Sequence, residues 1–135
     1  MSYSINDLQY IGPEATAQLK KFGIRTTAKL LEAAQSPKAR KQLAEQISVP
    51  EQRLLVWANM VDRMRIKGIG EDYAELLREA GVDTVKELAF RNPSNLAKAM
   101  AAANAKRKLV RLLPSEKAVG RWIIDAKKLP LKISY

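Results

Sequence analysis

The feature that most limits what this chain can fold into is an internal repeat. The run IGPEATAQLKKFGIRTTAKLL (11–31) aligns without a gap on IGEDYAELLREAGVDTVKELA (69–89), at an offset of 58. Ile11, Gly12, Leu19, Gly23, Ile24, Thr26 and Leu30 fall on Ile69, Gly70, Leu77, Gly81, Val82, Thr84 and Leu88. With the offset shortened to 56, Ser36-Pro37 falls on Asn92-Pro93 and Ser48 falls on Asn104. A chain of 135 residues holding one unit twice has room for little else. It is therefore read as two copies of one supersecondary unit, residues 1–66 and 67–135, the second carrying an extension past Pro114. At this length the copies are expected to share one core and pack as one compact unit.

The punctuation of both copies is helical. Gly12-Pro13 opens a helix with proline at its first position, where the missing N–H costs nothing. Gly23 and Gly81 stand where a helix ends in a left-handed residue. Thr84-Val85-Lys86-Glu87 and Ser48-Val49-Pro50-Glu51 both match the reciprocal capping pattern. Ser36-Pro37 and Asn92-Pro93 read as cap-plus-proline starts, and Asn104 and Ser115 as two further N-caps. Leu54, Trp57, Ala58 and Val61 recur at helical spacing and predict a long amphipathic helix from about 50 to 65. Val119, Trp122, Ile123 and Ala126 do the same for the last helix. No segment alternates like a strand. The expected class is all-α, with roughly nine short helices joined by tight turns.

Composition narrows the chemistry. The chain has no cysteine and no histidine, so disulfides, thiolate nucleophiles, imidazole bases and the usual zinc ligands are excluded. Glu71, Asp72 and Glu75 could ligate Mg²⁺, but three nearby acids on a charged helix face are common. No catalytic residue, metal or cofactor is expected, and the protein is read as a non-enzyme. No apolar run reaches the length of about 20 residues that a membrane span needs. The first residues, MSYSINDLQYIG, lack the basic and apolar regions of a secretory signal, so a cytoplasmic protein is expected. The net charge of +10 suits a polyanionic partner, nucleic acid before any anionic membrane surface.

The sharpest motif is Gly68-Ile69-Gly70 with Ala74 behind it and the long helix before it. Two glycines permit a tight turn and leave backbone N–H groups uncovered at a helix N-terminus, where the dipole favours an anion. Ile69 is expected to plug the helix pair, and Ala74 to let the helices approach closely. A G-x-G turn opening a helix also occurs in dinucleotide sites, but those need a preceding strand, and here a helix precedes. The run RIKGIGEDYAELL resembles the helix-hairpin-helix family of DNA-binding modules. The resemblance implies a hairpin backbone that grips a phosphate without reading bases, at Gly68, Ile69 and Gly70, aided by Arg63, Arg65 and Lys67. Over nearly its whole length, through RMRIKGIG…DYAELLREAGVDTVKELA and RLLPSEKAVGRWIIDAKKL, the chain also resembles an uncharacterised bacterial domain family with tandem helix-hairpin-helix repeats. That second resemblance implies the fold more than an activity.

Two departures weaken the hairpins as phosphate grips. In the first copy Tyr10 replaces the leading glycine, so that hairpin is expected to be structural. In the second, Glu71, Asp72 and Glu75 stand beside the N–H groups. At about 6 Å and an effective dielectric of about 20, each opposes a phosphate by roughly 3 kcal/mol before salt screening. Residues 1–66 carry +4, residues 67–91 carry −2 and residues 92–135 carry +8. The hairpin thus lies in the one acidic segment.

The cations that follow are the better candidates for phosphate contact. Arg107 and Arg111 are expected one turn apart on a helix flanked by Lys106 and Lys108. Lys117, Arg121 and Lys128 fall within about 40° of one another on the next helix. A weaker cluster is Lys38, Arg40 and Lys41. Trp57 and Trp122 lie in apolar stripes and are expected to pack in the core, not to stack on bases. The tail LPLKISY either docks on the core or serves self-association. The expected function is sequence-independent nucleic-acid binding, DNA more than RNA. The alternative is a protein-interaction or scaffold module, including head-to-tail self-association.

Overall fold

The computed structural model describes residues 2–135. The fold is all-α, as the caps and periodicity predict. A 3₁₀ turn (Ile5–Asp7) is followed by α1 (Pro13–Lys21), α2 (Thr27–Ala33), α3 (Pro37–Ile47), α4 (Glu51–Arg63), α5 (Glu71–Glu79), α6 (Val85–Ala89), α7 (Pro93–Lys106) and α8 (Glu116–Lys128). Among the described residues there is no strand, only an isolated bridge between Ser4 and Thr26. No helix of the described residues is long and apolar enough to cross a membrane. The repeat is visible in the helix pattern. Helices of 9, 7 and 11 residues (α1–α3) recur as helices of 9, 5 and 14 residues (α5–α7).

Matching side chains cap matching helices. Thr26 and Thr84 accept the N–H of Lys29 and Glu87, and Ser36 and Asn92 accept those of Ala39 and Asn95. At Thr84 the box closes, because Glu87 also accepts the Thr84 N–H at 3.0 Å. α1 and α5 end alike. Ile24 donates to Leu19 and Val82 to Leu77 across Gly23 and Gly81, both with positive φ. That crossed pairing needs a left-handed residue, which glycine supplies without a Cβ clash.

Two expected helix starts are helix ends instead. Ser48 closes α3 in the left-handed region, and the Pro50 carbonyl takes the first N–H groups of α4. Asn104 lies in the last turn of α7. Its side-chain oxygen accepts from the N–H groups of Leu109 and Val110, and its amide donates to the Val110 carbonyl. Serine and asparagine serve either end of a helix, so the residue type alone does not give the direction. No helix begins at Asn104, and residues 107–115 form an irregular segment up to the Ser115 cap of α8. α4 also differs from its expected form. Residues 57–64 are all buried, Asn59, Asp62 and Arg63 included, so its second half has no solvent-exposed stripe.

The chain divides into two compact units, Met1–Asp62 with Lys132–Tyr135, and Arg63–Leu131. In the first unit α1 and α2 pack on α3 around Leu19, Leu30, Leu31, Leu43 and Ile47. The end of the chain docks there. Ser134 N–H donates to the Gln35 carbonyl at 2.8 Å, and the Tyr135 hydroxyl donates to Asn59 Oδ1 at 2.7 Å. Arg40 secures it, donating to the carbonyls of Ala34 and Ser134 with its charge over the Tyr135 ring. Arg40 is only 3% exposed, which removes it from the weak cluster with Lys38 and Lys41. In the second unit α6 and α7 pack on α8 and α5 packs on α7. Leu76, Leu77, Val82, Leu88, Leu96, Met100, Val119 and Ile123 fill the space between them. Trp57 and Trp122 are buried in their respective units, as their apolar stripes predict.

Candidate nucleic-acid interface

The hairpin between α4 and α5 turns on two glycines with unequal tasks. Gly68 has φ +92°, a conformation that L side chains rarely adopt, whereas Gly70 has φ −88° and extended backbone open to any residue. A Cβ at Gly68 would lie 3.2 Å from the indole Nε1 of Trp122, while one at Gly70 would meet nothing within 4 Å. Ile69 and Ala74 are fully buried, as the plug and the close contact require. Gly70 is the N-cap of α5 and makes no side-chain cap.

What faces Gly68 makes a site. The Trp122 ring on α8 lies against Tyr73 of α5, with centroids 5.4 Å apart and planes tilted by 51°. The Tyr73 hydroxyl donates to the Leu112 carbonyl at 2.8 Å and so ties the 107–115 segment to the hairpin. Hairpin, irregular segment and α8 thereby enclose an open groove of about 740 Å³. Lys67 and Gly68 line it from the hairpin, Arg121, Trp122 and Asp125 from α8, and Leu112 from the segment. Sequence reasoning assigned Lys67 and Arg121 to separate surfaces, and the fold puts both on this groove. It missed Tyr73 and Asp125. The one available signal was the repeat itself, which places Tyr73 on Ala15 and Gly68 on Tyr10. The groove is built where the second copy departs from the first.

Four of the six acids of residues 67–91, namely Glu75, Glu79, Asp83 and Glu87, are answered locally. Glu75 is 5% exposed, and its Oε1 lies 3.0 Å from Arg107 Nη1 and 3.6 Å from Arg78 Nη1. Arg107 also meets Glu79 at 2.6 Å, and these hydrogen bonds, the one to Glu79 foremost, raise its pKa further above the ordinary arginine range. Arg63, fully buried, donates to the carbonyls of Ala74 and Asp83 and pairs with the Asp83 carboxylate at 3.5 Å. Glu87 is taken up by its cap. The segment reads −2 in sequence, and the two arginines that reach into it from outside residues 67–91 bring the local sum to zero.

Those pairings redistribute the predicted cations. Arg63 is sealed in the core and is removed from the phosphate contacts. Arg65 donates to the Pro130 carbonyl at 3.1 Å and holds the strand of chain leaving α8. Arg107 and Arg111 are not one turn apart on a helix, because α7 ends at Lys106 and Arg107 is its C-cap. The helix stops there because Asn104 captures the N–H groups of Leu109 and Val110 and the two glutamates hold Arg107. Lys106, Lys108 and Arg111 are exposed around that end. Lys117, Arg121 and Lys128 share the exposed face of α8, opposite Val119, Trp122, Ile123 and Ala126, with Ile124 half-exposed among them. Lys67 and these six make no ion pair among the described residues. Glu71, Asp72 and Glu75 do not converge: no group of three acids able to hold a metal ion occurs among the described residues.

A family model described as a domain of unknown function (DUF4332) matches residues 9–129. The chain belongs to this family. The DUF4332 span contains both aligned repeat runs, 11–31 and 69–89, with the hairpin, the groove and every cation named above. No curated protein and no solved structure matches the chain.

Proposed function

We propose that this DUF4332 protein binds DNA without sequence preference and without catalysis, as a tandem helix-hairpin-helix protein whose second copy meets the phosphate backbone. The observation that carries the reading is the groove that brings Lys67 and Gly68 of the hairpin beside Arg121 of α8. A duplex strand running along it meets Lys67 and Arg121 first, then Lys117 and Lys128 on the same helix face, with Lys106, Lys108 and Arg111 at the neighbouring helix end. Contacts of this kind neutralise phosphates and release counterions, and they carry no base information. The pairing of Glu75 with Arg107 and Arg78 supports the reading, since it offsets one of the three carboxylates that oppose a phosphate at the hairpin.

The test is anisotropy of a labelled mixed-sequence duplex at about 50 mM salt. Lys67→Ala with Arg121→Ala is expected to weaken binding about tenfold, and scrambling the duplex sequence is expected to leave it unchanged. Equal affinity for the double variant removes the groove from the interface. A protein-interaction role has one observation in its favour, a second groove lined by Phe90, Leu129 and Leu131 at the ends of α6 and α8.

A further inference from the structure

Phe90 is 81% exposed and Leu131 is 70% exposed, yet both line one groove of about 580 Å³ between the end of α6 and the end of α8. Leu129 contributes to its floor, and Lys86, Arg91 and Lys127 stand on its rim. No acid lines it, and none of the three cations forms an ion pair among the described residues. The groove is held in shape from outside. Arg65 fixes the Pro130 carbonyl at 3.1 Å between the two leucines, and the closed Thr84–Glu87 cap pins α6. Two large apolar side chains kept in water on a pinned backbone are unfavourable for an isolated chain, and such patches mark contact surfaces.

We propose that this groove docks a short acidic segment of another protein, carrying two large apolar side chains flanked by carboxylates. The apolar pair would cover Phe90 and Leu131, and the carboxylates would meet Lys86, Arg91 and Lys127. A groove of this size accommodates about two such side chains with their backbone. Charge excludes a second copy as the occupant. Of the other exposed large apolar residues described, Phe22, Leu112, Leu113 and Tyr135 lie beside Lys20 and Lys21, Arg111 and Lys132, and Ile124, though next to Asp125, shares its exposed helix face with Lys117, Arg121 and Lys128, so no apolar pair flanked by carboxylates is on offer. A nucleic acid would use the rim but leave the aliphatic floor uncovered.

The site shares no residue with the DNA groove at Lys67 and Arg121, so the two readings fail separately. The experiment pans a random twelve-residue peptide library against the full chain, and titrates the enriched peptides by amide chemical shifts. Expected are peptides of net negative charge with two large apolar residues. They should shift the amides of residues 86–91 and 126–131 and lose at least tenfold in affinity with Phe90→Ala. That position is exposed, and the unchanged far-UV spectrum of the variant checks its fold. Lys67→Ala with Arg121→Ala should leave this binding intact. Enrichment of neutral or basic peptides, or indifference to Phe90→Ala, overturns the proposal. So does an oligothymidylate that shifts the same amides through Phe90, which would give the surface to nucleic acid.

Discussion

A G-x-G turn invites equal treatment of its glycines, and here they differ. Gly68 is required twice over, by φ +92° and by the indole packed against its α-carbon. Gly70 is extended and unobstructed. Gly68→Ala is expected to destabilise the protein by about 1–3 kcal/mol, from left-handed strain and displacement of Trp122. Gly70→Ala, which loses only the preference of an N-cap for glycine over alanine, is expected to cost about 1 kcal/mol or less. Urea midpoints of the two variants decide it, and equal losses would refute the distinction. Single cations show the same divergence between type and role. Arg40 and Arg63 read as charge in the sequence, yet both are buried and spend their guanidinium hydrogens on main-chain carbonyls.

At the level of elements, the irregular segment 107–115 is decided by one local contact and one that is distant in sequence. Asn104 captures the N–H groups of Leu109 and Val110, and Arg107 turns to the glutamates of α5. Arg107→Ala is expected to cost about 1–3 kcal/mol because Glu75 loses its nearer partner in a largely buried position. Lys108→Ala, one residue on and exposed, is expected to cost less than about 0.5 kcal/mol. Denaturant titration separates them, and equal costs would show that the Glu75–Arg107–Glu79 cluster carries no stability. This segment also marks how far the sequence was legible. Helix starts at Pro13, Ser36, Thr84, Asn92 and Ser115 were readable because caps and prolines act within three or four residues. The end of α7 was not, because it depends on Glu75 and Glu79, which the first copy lacks: the repeat places Ala17 and Lys21 there.

For the whole chain, a net charge of +10 becomes informative only once pairs are assigned. Residues 67–91 are neutralised by Arg63 and Arg107, while the exposed cations of residues 106–128 keep their charge toward solvent. The groove at Lys67 and Arg121 was invisible in sequence for the same reason as the α7 end. It arises where Tyr73, Trp122 and Leu112 meet, and those residues are separated by up to about fifty positions with no periodic signal linking them. The central claim is that this surface neutralises phosphates, and the salt dependence of DNA affinity tests it most directly. Each phosphate contact adds about 0.9 to the slope of log K against log salt. The parent protein should therefore bind a mixed-sequence duplex with a steep negative slope. The triple variant Lys117→Ala, Arg121→Ala, Lys128→Ala should be shallower by about 2–3 units. No binding at about 50 mM salt, or an unaltered slope in the triple variant, would contradict the account.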